Sequence, residues 1–286
     1  MVKATLLITC GASLLTKALK DTNSSAILNK YGLDRIMNMD IGSVEYEKAR
    51  DYAYKGHEVF QTLFAYIKAN SSRASAELTT LELVLSHSNL SYNDVRIYLY
   101  RSDTSVGLLI ANVLQHYLQE KGSIVETIEV KGFGTARTLN EFQEGIVDLM
   151  TKIIRVTKGI KANNNKDKVY VLASGGFKPE TTAAVIAALL AQADGIYYVY
   201  EHSRDLVAIP AIPLAINHNA LDLLDKIFHI KDSSKRRWSI SIDELLAIGI
   251  DTSMIEELEF MGLVTRKGEL QNKLEIREWV KELLSN

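Results

Sequence analysis

The chain of 286 residues is predicted to be an α/β protein built on a mostly parallel sheet, with a small second domain at its C-terminal end. Three observations carry this. Short runs rich in β-branched and aromatic apolar residues recur along the first two thirds, and segments of helical periodicity separate them. The pattern then changes beyond Lys231 to a charged linker and short amphipathic segments. Strands that alternate with helices pair in parallel and are covered on both faces.

In chain order, strands are predicted at Thr5–Thr9, Val95–Arg101, Ile124–Val130, Lys168–Ala173 and Gly195–Glu201. Helices are predicted at Glu47–Ala69, Ser105–Glu120, Asn140–Ile160 and Thr181–Gln192. Lys161–Lys168 is a polar connector inside this unit, and Ile209-Pro-Ala-Ile-Pro213 marks a loop or edge after the sheet. The first domain is taken as residues 1–230 and the second as 231–286. The second reads as a short helix (Ile242–Gly249), another (Thr252–Met261), a hairpin-like turn through Thr265-Arg-Lys-Gly268 and a final helix (Asn272–Leu284). That succession is winged-helix-like, with a small core expected from Leu245, Leu246, Ile255, Leu258, Met261 and Leu263.

Composition narrows the function classes. A net charge of -2 gives no global electrostatic reason to bind nucleic acid or a membrane surface. The one cysteine, Cys10, excludes an internal disulfide framework and fits a reducing compartment. No CxxC or HExxH pattern points to a metal, and no cofactor is expected. The N-terminus reads as a strand rather than a signal peptide, and no apolar run spans a bilayer, so a soluble, cytoplasmic protein is expected.

The strand from Val169 ends in Ser174-Gly-Gly-Phe-Lys-Pro179, and a helix follows at once. Glycines admit close backbone approach, a helix start offers N–H groups to an anion, and Lys178 adds a positive charge. It is no P-loop, because GxxxxGK[ST] is absent. As an isolated motif the same turn is equally well a structural one with a solvent lysine. The first strand repeats the layout with Cys10-Gly-Ala-Ser13. If both strands are parallel, the two loops share the sheet edge where ligands bind in open α/β sheets. Ser102-Asp-Thr-Ser105-Val-Gly107 reads as a helix cap with added scope for ligand contact. Arg73-Ala-Ser-Ala-Glu77 reads as an exposed stretch on or before a helix, and Gly132-Phe-Gly-Thr-Ala-Arg137 as a loop rather than a dinucleotide fingerprint.

There is no GxSxG elbow, and Cys10 has no local histidine partner. A phosphate site of lysine, serine and backbone amides can still align a ribose 2′-hydroxyil against its own 3′-phosphodiester and stabilise the transition state by charge.

Taken in order, Thr9-Cys-Gly-Ala-Ser13-Leu-Leu, Arg73-Ala-Ser-Ala-Glu77, Ser102-Asp-Thr and Ser174-Gly-Gly-Phe-Lys178-Pro resemble the CARF domain of CRISPR-associated proteins. The likeness continues through Tyr198-Val-Tyr-Glu201 and Ile209–Pro213, over roughly residues 1–215. With its winged-helix-like tail, the chain most resembles the archaeal CRISPR ring nucleases. The resemblance implies a homodimer of Rossmann-like domains that binds cyclic tetraadenylate across its two-fold axis. It further implies metal-independent cleavage to linear di-adenylate with 2′,3′-cyclic phosphate ends, which switches off antiviral signalling. The catalytic residues it implies are Ser13 and Lys178. The ligand-binding positions it implies are Gly11, Leu14, Arg73, Glu77, Ser105, Gly107, Gly175, Gly176 and Phe177.

Three other readings stand beside this one. A cyclic-oligoadenylate-sensing transcription regulator also joins CARF to a winged helix. Here, however, Ser239–Asn286 carries ten acidic and five basic residues, and Thr252–Met261 has three glutamates and no cation. DNA affinity comes largely from neutralising phosphates, so duplex binding is not expected and the tail is expected to pack in the dimer; only Lys235-Arg-Arg237 pulls the other way. An effector ribonuclease would need an Arg-x4–6-His pair in a HEPN domain; Arg50 to His57 has that spacing but lies inside the first domain. The last is a module that binds the ring without cutting it.

Overall fold

The computed structural model describes residues 2–285 except 37–38, 40–41, 135–137, 164–166, 177, 201–202 and 204. The chain divides into two compact units, residues 1–212 and 213–286. The division precedes the charged linker at Lys231, so the helix His218–Phe228 is counted with the second unit.

The first unit holds β1 (Ala4–Thr9), α1 (Ser13–Ala18), α2 (Thr22–Lys30), α3 (Leu33–Ile36), α4 (Val44–Glu47), α5 (Ala49–Tyr52), α6 (Glu58–Asn70) and α7 (Ala76–His87). It continues with β2 (Val95–Ser102), α8 (Ser105–Glu120), β3 (Ile124–Val130), α9 (Leu139–Ala162), β4 (Lys168–Leu172), α10 (Lys178–Leu190), β5 (Gly195–Val199) and β6 (Leu206–Ile209). Six strands form one sheet in the order β3-β2-β1-β4-β5-β6. All neighbours are parallel except β5 and β6. This is the mostly parallel α/β sheet that the alternation of patterns predicts, and it is Rossmann-like as the resemblance implies.

β1 lies at the centre and is buried along its whole length, which is why its sequence is apolar without alternation. Leu6 and Ile8 join a core with Leu14, Phe60, Leu81, Ile97, Leu99 and Leu109. α7 and α8 pack on the sheet, with α6 against α8, while α9 and α10 pack alongside each other. The connection from β1 leads to β2 on one side, and that from β3 crosses back to β4 on the other. The order therefore reverses between β1 and β4, and in such sheets the crevice at that point takes the ligand.

Three predicted elements need correction. The final helix expected over Asn272–Leu284 begins only at Glu278, because Lys273–Ile276 pairs as a strand. The single helix expected over Glu47–Ala69 is three pieces, α4, α5 and α6. Gly56 packs against the Tyr54 ring, where a Cβ would come within 2.6 Å, and His57 caps a fresh helix by accepting from the Val59 N–H. Ser13, placed in the loop after the first strand, opens a short helix. Parts of the expected strand and loops, namely Glu201, Thr135–Arg137 and residues 164–166, lie outside the described residues.

The second unit comprises α11 (His218–Phe228), β7 (Ser239–Ser241), α12 (Ile242–Ala247), α13 (Thr252–Phe260), β8 (Val264–Lys267), β9 (Lys273–Ile276) and α14 (Glu278–Leu284). Its strands form an antiparallel sheet in the order β7-β9-β8. Leu245, Ile255, Leu258 and Leu263 are buried as predicted, while Leu246 is half exposed and Met261 only partly covered. Among the described residues no helix is long and apolar enough to cross a membrane.

Candidate functional site

Three chain segments meet beyond the carboxyl ends of β1 and β4: residues 9–13, 72–77 and 173–178. β1 extends its pairing by one residue as the Cys10 N–H donates to the Tyr100 carbonyl at 2.8 Å. The Thr9 hydroxyl donates across to the Gly175 carbonyl, tying the first loop to the second. The glycines are there because nothing larger fits. A Cβ on Gly175 would lie 2.2 Å from Glu77 Oε1 and 2.4 Å from the Thr9 carbonyl oxygen. Gly176 has φ +99°, in the left-handed region that favours glycine.

Glu77 lies under this junction, 2% exposed, in the first turn of α7. Its Oε1 accepts from the Gly11 N–H at 2.7 Å and its Oε2 from Ser13 Oγ at 2.8 Å. Ser13 Oγ in turn accepts from the Ala76 N–H at 2.9 Å. One carboxylate thus ties the first loop to the start of α7. The amide of Gly11, a position that the resemblance implies for ligand binding, is already engaged.

Above the junction is a cleft of about 880 Å³, within the range of ligand sites. Its floor and walls include Ser13 and Lys17 from α1, Ser72, Arg73, Ala76, Thr79, Glu82 and Leu83 on and before α7, Ser174, Gly176, Lys178 and Thr181 around the start of α10, and Tyr198 and Val199 of β5. Lys178, at the N-terminal end of α10, is exposed, as is Arg73; Ser13 is half-buried. Lys17 Nζ donates to the Arg73 carbonyl at 2.9 Å, holding the turn that carries Arg73 at the cleft. Three cationic side chains and the amide end of a thirteen-residue helix therefore share one concavity, an arrangement that favours an anionic ligand.

Of the predicted site residues, the cleft brings together Ser13, Arg73, Gly176 and Lys178. Gly11, Gly175 and Glu77 form the layer below. Leu14 is wholly buried in the core. Ser105 and Gly107 lie elsewhere, at the start of α8. Ser105 is 1% exposed and its hydroxyl donates to Glu47, while the Gly107 N–H donates to the capping Thr104 Oγ1 at 2.9 Å. Asp103 accepts from the Gly132 and Gly134 N–H groups and so fixes that loop. Phe177 lies outside the described residues. The sequence reading missed Lys17, Thr79, Glu82, Thr181 and Tyr198. Lys17 follows Ser13 at helical spacing, and Ala76, Thr79 and Leu83 share one face of α7, so a recognised α1 and α7 would have shown them.

Burial pushes the Cys10 thiol well up, and the nearby Glu77 and Glu180 carboxylates raise it further against the lowering effect of Arg101. A thiol so held stays protonated and is no nucleophile. Among the described residues no three His, Cys, Asp or Glu side chains gather as metal ligands.

Residues 72–212 match a protein-family model described as "CRISPR-associated protein (Cas_APE2256)". The model represents a CRISPR-associated protein family, to which this region is similar. The matched region covers just under half the chain and agrees with the CARF-type resemblance of the motifs. The match takes in Arg73, Glu77, the Gly175–Gly176 turn and Lys178, and it begins after Gly11 and Ser13.

Proposed function

We propose that the protein is a metal-independent ring nuclease that binds cyclic tetraadenylate and cuts it to linear di-adenylate with 2′,3′-cyclic phosphate ends. The observation that carries this reading is the convergence of Ser13 and Lys178, from loops 165 residues apart, on one cationic cleft at the point where strand order reverses. In the proposed homodimer each subunit presents this cleft to one half of the ring, because a four-nucleotide ring can share a two-fold axis.

The chemistry needs little covalent help. The ribose 2′-oxygen attacks its own 3′-phosphorus in line with the departing 5′-oxygen, giving its proton to water while water protonates the 5′-oxygen, and negative charge builds on the non-bridging oxygens. Lys178 stabilises that charge, and Ser13 positions the attacking nucleotide. Lys17 and Arg73 bind phosphates of the ring.

The rival reading as a DNA-binding regulator is disfavoured by the second unit. α13 presents Glu256 and Glu257 to solvent. The basic cluster is engaged at home: Arg237 pairs with Glu244, Lys235 with Asp232 at 3.7 Å, and Arg236 donates to the Leu284 carbonyl.

The test is incubation with labelled cyclic tetraadenylate in excess EDTA. Linear product carrying a cyclic phosphate, lost in Lys178→Ala with binding retained, supports the reading. A ring that is bound yet stays whole identifies a non-cleaving binding protein. A ring that is not bound at all overturns the assignment of the ligand.

A further inference from the structure

The Ser13 hydroxyl has a fixed polarity. A serine oxygen carries one proton and two lone pairs. The proton is spent on Glu77 Oε2 at 2.8 Å, and one lone pair is spent on the Ala76 N–H at 2.9 Å. What Ser13 offers the cleft it lines is therefore a single lone pair, an acceptor and not a donor. A phosphate oxygen has nothing to give such a group, whereas a ribose hydroxyl does.

Glu77 is the residue that sets this polarity. It is 2% exposed, does not line the cleft, and is held from its other side by the Gly11 N–H on Oε1 at 2.7 Å. An ionised carboxylate only accepts, so both neighbours must donate to it. Building on the ring-nuclease reading, we infer that Glu77 is a positioning residue that turns the Ser13 hydroxyl into an obligate acceptor for the ligand's ribose 2′-OH. Ser13 then orients the 2′-oxygen and leaves the phosphate to Lys178 and its neighbouring cations. The assignment makes the site selective for ribose over 2′-deoxyribose before any bond is broken.

The two-sided grip on Glu77 supplies a sharp test. In Glu77→Gln the new carboxamide is isosteric, but one end is a donor. Its oxygen must face the Gly11 N–H, since two donors cannot pair there, and its NH2 then faces Ser13. Ser13 Oγ is met by two donors, and its own proton turns into the cleft. The substitution thus reverses the polarity of Ser13 without changing shape.

Affinities of the full-length protein for cyclic tetraadenylate and its 2′-deoxy analogue are measured on a Lys178→Ala background, with cleavage followed separately in the parent. The expected result is a preference for the ribose ring of about tenfold, the worth of one good hydrogen bond. In Glu77→Gln the 2′-hydroxyl can still accept from the reversed Ser13 hydroxyl, so the ribose preference and both affinities are nearly kept, while cleavage drops at least tenfold because the 2′-oxygen now accepts from Ser13 where the parent has it donate. Ser13→Ala is expected to bring the ratio to near one, so the inference stays open to refutation even where Glu77→Gln fails to fold. A ratio unchanged in Ser13→Ala, or cleavage unchanged in Glu77→Gln, overturns the inference, as does an equal loss of affinity for both rings in Glu77→Gln, which marks Glu77 as purely structural. If the parent binds neither ring, the ring-nuclease reading itself falls and this inference with it.

Discussion

Gly11 and Gly176 meet backbone against backbone: a Cβ on Gly11 would lie 2.4 Å from the Gly176 amide nitrogen and 2.9 Å from its Cα. The contact joins the loop after β1 to the turn before α10, so it sets the spacing of Ser13 and Lys178. Because the obstacle is main chain, relief requires the two loops to part. Gly11→Ala is expected to cost about 2–3 kcal/mol, to lower the melting temperature by several degrees, and to reduce cleavage by more than stability accounts for. Gly159→Ala is the control. That residue sits within α9 with nothing within 4 Å of an added Cβ, and the change is expected to raise stability by about 0.5–1 kcal/mol. Calorimetry on the two variants checks both signs.

The three cations at the cleft differ in role, and their substitutions should separate binding from turnover. Lys178→Ala removes charge where it develops in the transition state, and a loss of about 10²–10³ in turnover is expected. Arg73→Ala and Lys17→Gln are expected to weaken ring binding several-fold with turnover of the bound ring nearly kept. The effect of Arg73→Ala should shrink as salt is raised, because exposed charges are screened within about 8 Å at 0.15 M. Lys17→Gln also frees the Arg73 carbonyl that Lys17 holds. A binding titration at two salt concentrations, paired with single-turnover rates, distinguishes these outcomes.

The sheet was legible in the sequence because a strand buried on both faces writes a continuous apolar run, as in Ala4–Thr9 and Val169–Leu172. β6 was not, since Leu206–Ile209 is short, lies at the edge and adjoins prolines. Between β1 and α6 no helix was read before Glu47, because α1 to α4 are too short for a sustained period, and the helix read from Glu47 ran across the break at Gly56. Ser13 and Lys178 stood out by local motif. What lies beneath them did not: the bonds from Gly11 and Ser13 to Glu77 span more than sixty residues, and no local pattern announces a contact of that range.

Several buried groups share one direction of shift, which predicts an alkaline weakness. Burial raises the Cys10 thiol above its ordinary 9.0, with Glu77 and Glu180 adding to it. Burial likewise raises the Tyr100 and Tyr92 phenols above 10.0, the latter also through its bond to Glu82. The folded state therefore holds these protons more tightly than the unfolded chain does. Their contribution is fully present below the unfolded values near 9 and 10, and is lost as pH rises through the higher folded ones. Melting temperature should be level up to about pH 8 and decline between pH 9 and 11. Cys10→Ala should soften the earliest part of that decline. In the native protein at pH 8, Cys10 should resist a thiol reagent until denaturant is added.

Charge arithmetic in the second unit predicts what it will not do. Arg237 and Arg266 are held by Glu244 and Glu259, and Lys281 by Glu278. Releasing such pairs to reach DNA phosphates would leave carboxylates facing the duplex, so the counterion-release gain that drives non-specific binding is mostly forfeited. The full-length protein is expected to bind duplex DNA no tighter than about 10⁻⁵ M at physiological salt. Glu256→Lys together with Glu257→Lys on α13, both exposed, should tighten that by about tenfold while leaving ring cleavage unchanged. A gel shift at 0.15 M salt reads both quantities. Tight binding by the unmodified protein would show that the acidic face is not the surface meeting DNA, and would favour the regulator over the nuclease.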